Sequence, residues 1–227
     1  MTVVKDYVPT VEAGPSHSIG TRNVLALCIA ATLAVSWYSN TYVLTREMYH
    51  QLLGEQLEFA RIDANFDMVL KYKTWGYFLS PFAVMARIAL ASLVLQLFFV
   101  LMMAELPFRL VARAVALAFP TTIVTDLMRV IFLKTRDVGS LSLESVLVVP
   151  GSVSSLTMNM SDANTALYGL LSKFSIPEVF WCVIVVAAVV SDRPAVRNRA
   201  ILGVAATWIT MTIFSWAVTS YFSGIRS

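Results

Sequence analysis

The sequence predicts an all-α fold: a polytopic membrane helical bundle with about five transmembrane helices plus extra-membrane amphipathic helices. Three observations carry this. Of the 227 residues, 58% are apolar and only 14% are charged, against roughly 25% charged in an average soluble domain. The mean hydropathy is +0.72. The apolar residues are gathered into long uncharged runs, which a soluble fold of this size could not hide. A disordered chain, a nucleic-acid binder and an ordinary cytosolic enzyme are excluded on these grounds. The net charge of +3 reports loop lysines and arginines, not an acidic partner.

The elements follow in order. Residues 1–22 form a polar tail containing Pro9, Gly14 and Pro15. The first span falls near 23–45 and is long for a signal-peptide core, so it reads as an uncleaved signal anchor. Residues 46–78 differ in kind. Met48, Leu52, Phe59, Ile62, Phe66 and Val69 recur at spacings that line one helix face, and Glu47, Glu58, Asp63 and Asp67 occupy the other. Asp67 precedes Lys71 by four residues, a favourable helical pair. The segment carries a net charge of −1, unlike the basic face of a lipid-surface helix. It is expected to pack on the protein's own membrane domain or on a partner, with self-packing favoured.

The second span falls near 79–104, with Pro81 at its start. A tight connection at residues 105–107 leads to the third span, near 108–133, where Pro120 should kink the helix. Pro150 and Gly151 break the stretch that follows, and Asp162 reads as a helix N-cap. Residues 141–173 are therefore expected to form short amphipathic helices at the interface. The fourth span falls near 174–190 and the fifth near 200–222.

The short loop between the last two spans holds Arg193, Arg197 and Arg199, which argues for a cytoplasmic loop. Five spans then place the N-terminus in the cytoplasm and the C-terminus outside. Trp37, Tyr38, Tyr42, Trp75, Tyr77, Trp216 and Tyr221 fall toward the outer side in this arrangement, as an aromatic belt would.

Few residues offer chemistry. Cys28 and Cys182 both lie in expected spans and read as inert packing thiols. His17 and His50 are too few and too far apart in sequence for a haem or transition-metal site. The nucleotide-binding, metallohydrolase, serine-hydrolase and CxxC motifs are absent. No cofactor, metal or catalytic residue is therefore expected. The hydroxyl-rich run Ser152, Ser154, Ser155 and Thr157 has no accompanying base and reads as loop solvation.

Charges within spans are the exception, since each costs several kcal/mol in lipid unless it is paired or reaches water. Asp126 and Arg129 are three residues apart on one helical face. With the second and third spans antiparallel, Arg87 falls at comparable depth, so Arg87, Asp126 and Arg129 can form one intramembrane polar cluster. Such a cluster could serve an anionic substrate, a proton or a lipid headgroup. An interhelical ion pair with snorkelling arginines is the structural alternative and is favoured. Arg113 and Glu178 are secondary candidates; for Glu178, beside Pro177 at the start of a span, interaction with the helix dipole is favoured.

The half from Phe108 to Phe222 resembles bacterial members of the Yip1-like integral membrane protein family. The resemblance lies in Phe108-Arg109-Leu110-Val111-Ala112-Arg113 through Phe119-Pro120 and in Leu170-Leu171-Ser172-Lys173-Phe174-Ser175-Ile176-Pro177-Glu178-Val179-Phe180-Trp181. The arginine-bearing loop before Ala200 and the last span continue it. The N-terminal half, with its 46–78 helix, departs from the pattern. The resemblance implies about five spans, a cytoplasmic N-terminus, a bacterial inner membrane and a non-enzymatic role.

Together these readings predict a non-catalytic integral membrane subunit or scaffold of a larger complex. It would meet the lipid bilayer and a protein partner or a second copy of itself, docked through the outer amphipathic segment, and would not bind nucleic acid. The alternative is a small transporter or permease component that uses the Arg87, Asp126 and Arg129 cluster.

Overall fold

The computed structural model describes residues 20–54, 57–135, 150–156, 171–172 and 174–224. These residues form an all-α polytopic bundle, with no strand among them. The expected N-cap Asp162, the tail before Gly20 and most of the 141–173 segment lie outside the described residues.

Helix α1 (Thr21–Tyr38) runs into one π-helical turn (Ser39–Val43), followed by α2 (Arg46–Leu53). Thr45 caps α2, its Oγ1 accepting from the Met48 N–H at 3.4 Å. Helix α3 (Phe59–Leu101) has 43 residues and passes Pro81 without a break. The expected boundary at residue 79 is thus not an element boundary: residues 59–78 of the amphipathic segment and the second span share one helix. α2 folds back on the start of α3, where Ile62 is buried, while Met48 of α2 is buried with Val43, Val130 and Leu133. Its polar edge pairs with α3 through Arg46–Asp67 at 2.7 Å and His50–Asp63 at 2.9 Å. Among the described residues the Asp67 partner is Arg46, not the expected Lys71.

The turn after α3 has a chemical reason for its sharpness. Met103 adopts φ 53°, Ala104 N–H reaches back to Phe99 O at 2.8 Å, and Met103 N–H reaches Val100 O at 3.0 Å. This is a Schellman stop with methionine at the left-handed position that glycine ordinarily fills. α4 (Phe108–Ala118) and α5 (Pro120–Thr135) follow as one interrupted span. The break falls at Phe119–Pro120, where Pro120 lacks a donor; Thr121 Oγ1 donates to Ala118 O at 2.7 Å.

A single turn, α6 (Val153–Leu156), packs beside the start of α7 (Ile176–Asp192) through a bridge between Ser152 and Ser175. The hydroxyl run is partly interior: Ser152 and Ser154 are buried and share a 2.7 Å hydrogen bond. A 3₁₀ turn (Pro194–Val196) leads into α8 (Arg197–Gly224).

Among the described residues, four helical segments are long and apolar enough to cross a membrane: Thr21–Val43, Phe59–Leu101, Phe108–Thr135 and Pro194–Val218. The other expected span is α7, whose 17 residues stand at the lower end of spanning length. α7 is nevertheless central, packing on α4, α5 and α8. Val185 and Val189 of α7 are buried in one core with Val111 and Val115 of α4, Leu95 and Phe99 of α3, and Val204 of α8. α8 packs tightly against α3 at Gly203, where an added Cβ would stand 2.7 Å from the Phe99 ring. Small residues at such crossings allow the dispersion contacts that hold helices together in lipid.

Candidate polar site between the first and third spans

Beyond its first turn, the first span carries one polar stripe that lines a cavity. Thr32, Ser36, Ser39 and Asn40 recur at steps of four, three and one, which places them on one side of α1. They face α5, and between the two lies a cavity of about 240 Å³. Its α5 wall is Ile123, Asp126, Arg129 and Val130, and Val35 completes the α1 wall. Two polar atoms of cavity-lining residues, Thr32 Oγ1 and Arg129 Nε, are buried and have no hydrogen-bond partner among the described residues. Leaving a buried donor unsatisfied costs roughly 1–3 kcal/mol, and more for a charged group.

Of the expected cluster, Asp126 and Arg129 line this cavity together. Among the described residues, neither the Arg129 nor the Arg87 guanidinium comes within 4.0 Å of the Asp126 carboxylate. Arg87 is exposed on α3 and does not line the cavity. The other candidates lie elsewhere. Arg113, on α4, stands 3.7 Å from Asp192 at the end of α7. Glu178 occupies the first turn of α7; the cap itself is Ser175, whose Oγ accepts from the Glu178 N–H at 3.4 Å. Ser175-Ile176-Pro177-Glu178 has the Ser-x-x-Glu spacing of a capping box.

The cavity mouth is shaped by the π-helical turn. Leu44 N–H bonds to Ser39 O at 2.9 Å, five residues back, which widens the helix and displaces the Asn40 backbone. Two lysines fasten this turn. Lys73 Nζ donates to Asn40 O at 3.3 Å and to Thr41 Oγ1 at 3.4 Å. Lys134 Nζ donates to Tyr38 Oη at 2.5 Å and stands 5.9 Å from the Tyr42 ring centre. These aromatics therefore have a mechanical role here: Tyr38 and Tyr42, with ring centres 5.1 Å apart, tie the end of α1 and the π-helical turn to the end of α5.

The cavity offers a carboxylate, a guanidinium donor, three hydroxyls and an amide in a low-dielectric setting. It can hold a small polar or zwitterionic molecule by hydrogen bonds. Among the described residues no group of His, Cys, Asp and Glu is arranged to bind a metal. The α1 stripe is neutral and so does not stand out in an apolar run as a charge does; its signal in the sequence is the recurrence of hydroxyls. No family model, curated protein or solved structure matches the chain.

Proposed function

We propose that this integral membrane protein is a non-enzymatic binding or permeation component. Its α1/α5 cavity would take a small zwitterionic or anionic solute between Asp126 and Arg129. The observation that carries this reading is the pair of buried, unpartnered atoms, Thr32 Oγ1 and Arg129 Nε, on opposite walls of one polar cavity. A purely structural ion pair would be expected to satisfy its own donors, and here a bound solute would supply the missing acceptor. The N-terminal ends of α1 and α4 and the turn before α8 carry Arg22, Arg109, Arg113, Arg193, Arg197 and Arg199, which supports a cytoplasmic placement of that end. The cavity then opens toward the outer side.

The test is uptake of labelled amino acids and small carboxylates into proteoliposomes containing the purified protein. Uptake of at least one probe by the wild type, lost in Arg129→Gln with folding intact, is the expected result. Equal flux in protein-free vesicles and in both proteins for every probe would overturn the reading.

A second reading, a subunit of a larger complex, draws on α3. At 1.5 Å per residue this helix is about 65 Å long, while even a 40° tilt takes only about 39 Å of helix through a 30 Å hydrocarbon core. Its N-terminal part therefore stands beyond the core, and there Tyr72 and Trp75 are exposed. Such a face suits a protein neighbour. Co-purification from mild detergent followed by cross-linking at Tyr72 separates this reading from the first.

A further inference from the structure

A second cavity lies at the opposite end of the bundle. It has a volume of about 660 Å³ and runs between the start of α1, the middle of α3 and the first turns of α4. Its inner walls are apolar, formed by Leu25, Ile88 and Ala116 among others, and its mouth carries Arg109, Arg113 and Asp192. Arg109 and Ala116 are seven residues apart on α4 with Arg113 between them, so the lining runs roughly 10 Å along that helix and its apolar end lies beyond Arg113. Two guanidinium groups face one carboxylate, and that carboxylate is 3.7 Å from Arg113 alone. Among the described residues Arg109 has no ion-pair partner within 4.0 Å and is exposed.

This combination has a specific complement. A free phosphate would use the arginines and leave the apolar depth in contact with nothing. A neutral hydrocarbon would fill the depth and leave Arg109 uncompensated. A molecule carrying a phosphate on an acyl chain satisfies both, and the cavity sits where spanning helices end, at the depth of lipid headgroups. We propose that this groove is a binding site for one anionic phospholipid, with its headgroup phosphate between Arg109 and Arg113 and an acyl chain along Leu25, Ile88 and Ala116. The site is separate from the α1/α5 cavity and stands whether or not that cavity binds a solute.

The experiment is native mass spectrometry of the delipidated full chain titrated with phosphatidylglycerol, with phosphatidylcholine of the same chains, and with inorganic phosphate. One tight phosphatidylglycerol adduct is expected on the wild type, with phosphatidylcholine weaker and inorganic phosphate not retained. Arg109→Gln should weaken that adduct about fivefold, the effect of losing one arginine contact at a charged surface. Because Arg113 also meets Asp192, its substitution can disturb packing. Ala112→Trp, which narrows the groove without touching a charge, is therefore the second variant and should also lose the adduct. Equal adducts on the wild type and both variants, or phosphatidylcholine bound as tightly as phosphatidylglycerol, would overturn the proposal. Phosphate retained as well as the lipid would overturn the acyl-chain part of it.

Discussion

The same residue types occur in two settings. On the α2/α3 hairpin, Arg46 meets Asp67 at 2.7 Å and Asp63 at 3.6 Å, with all three side chains substantially exposed. Between α1 and α5, Asp126 and Arg129 sit partly buried on a cavity wall without a contact pair. The better geometry belongs to the site where it matters less. Exposed pairs are worth about 0–1 kcal/mol because water already solvates both charges. Charges inside a span have no such alternative, so even a looser arrangement governs stability and ligand choice. Contact distance alone is therefore a poor guide to the importance of a charged group in this protein.

The largest effect is expected from isolating one charge at the cavity. Asp126→Leu should destabilise the protein by roughly 3 kcal/mol in detergent unfolding, since Arg129 is then left on the cavity wall with no opposing charge. Asp126→Leu combined with Arg129→Met should recover much of that loss. A cost below about 1 kcal/mol for the single variant would make the two settings equivalent and break the comparison.

A packing change without charge comes next and sharpens the contrast. Gly203→Val pushes a side chain into the buried Phe99 ring and should cost about 1–3 kcal/mol, independent of ionic strength. On the hairpin, Arg46→Ala should cost less than about 1 kcal/mol, and 1 M salt should shrink that cost further. A salt-insensitive loss there would show that Arg46 acts through its stacking on Phe66, 5.4 Å from the ring centre, more than through its charge. The smallest effect has the opposite sign. Met103→Gly at the Schellman stop relieves the left-handed backbone of a residue with a Cβ, and should stabilise by up to about 1 kcal/mol in the same unfolding assay.

The fold was legible in the sequence wherever length and apolar content decide the outcome. The runs that became α1, α3, α8 and the α4/α5 pair announce themselves because lipid demands uninterrupted apolar helix. Pro120 announces the break between α4 and α5 because its missing donor acts locally. Pro81 gives the same local signal, yet α3 continues through it, and residues 59–78 of the amphipathic segment and the second span merge into one rod. Local rules set the chance of a kink, whereas packing of the surrounding helix sets whether the chain takes it.

The candidate site divides in the same way. Asp126 and Arg129 stood out because a charge in an apolar run is conspicuous, and their three-residue spacing placed them on one face. Thr32, Ser36, Ser39 and Asn40 were harder to see, since hydroxyls in spans commonly bond to their own helix, as Ser92 does to Ile88 O at 2.6 Å and Thr207 to Gly203 O at 2.8 Å. By itself the sequence determined the class of protein, the helices and the few charges that lipid penalises, because each follows from composition and short-range periodicity. Only the tertiary structure decided that α1 turns its hydroxyl stripe toward α5, that Arg87 stays outside the cavity, and that Arg109 and Arg113 border a groove at the other end. Those outcomes depend on which faces of distant helices meet, and that is settled by close packing such as Phe99 against Gly203, which no local pattern encodes.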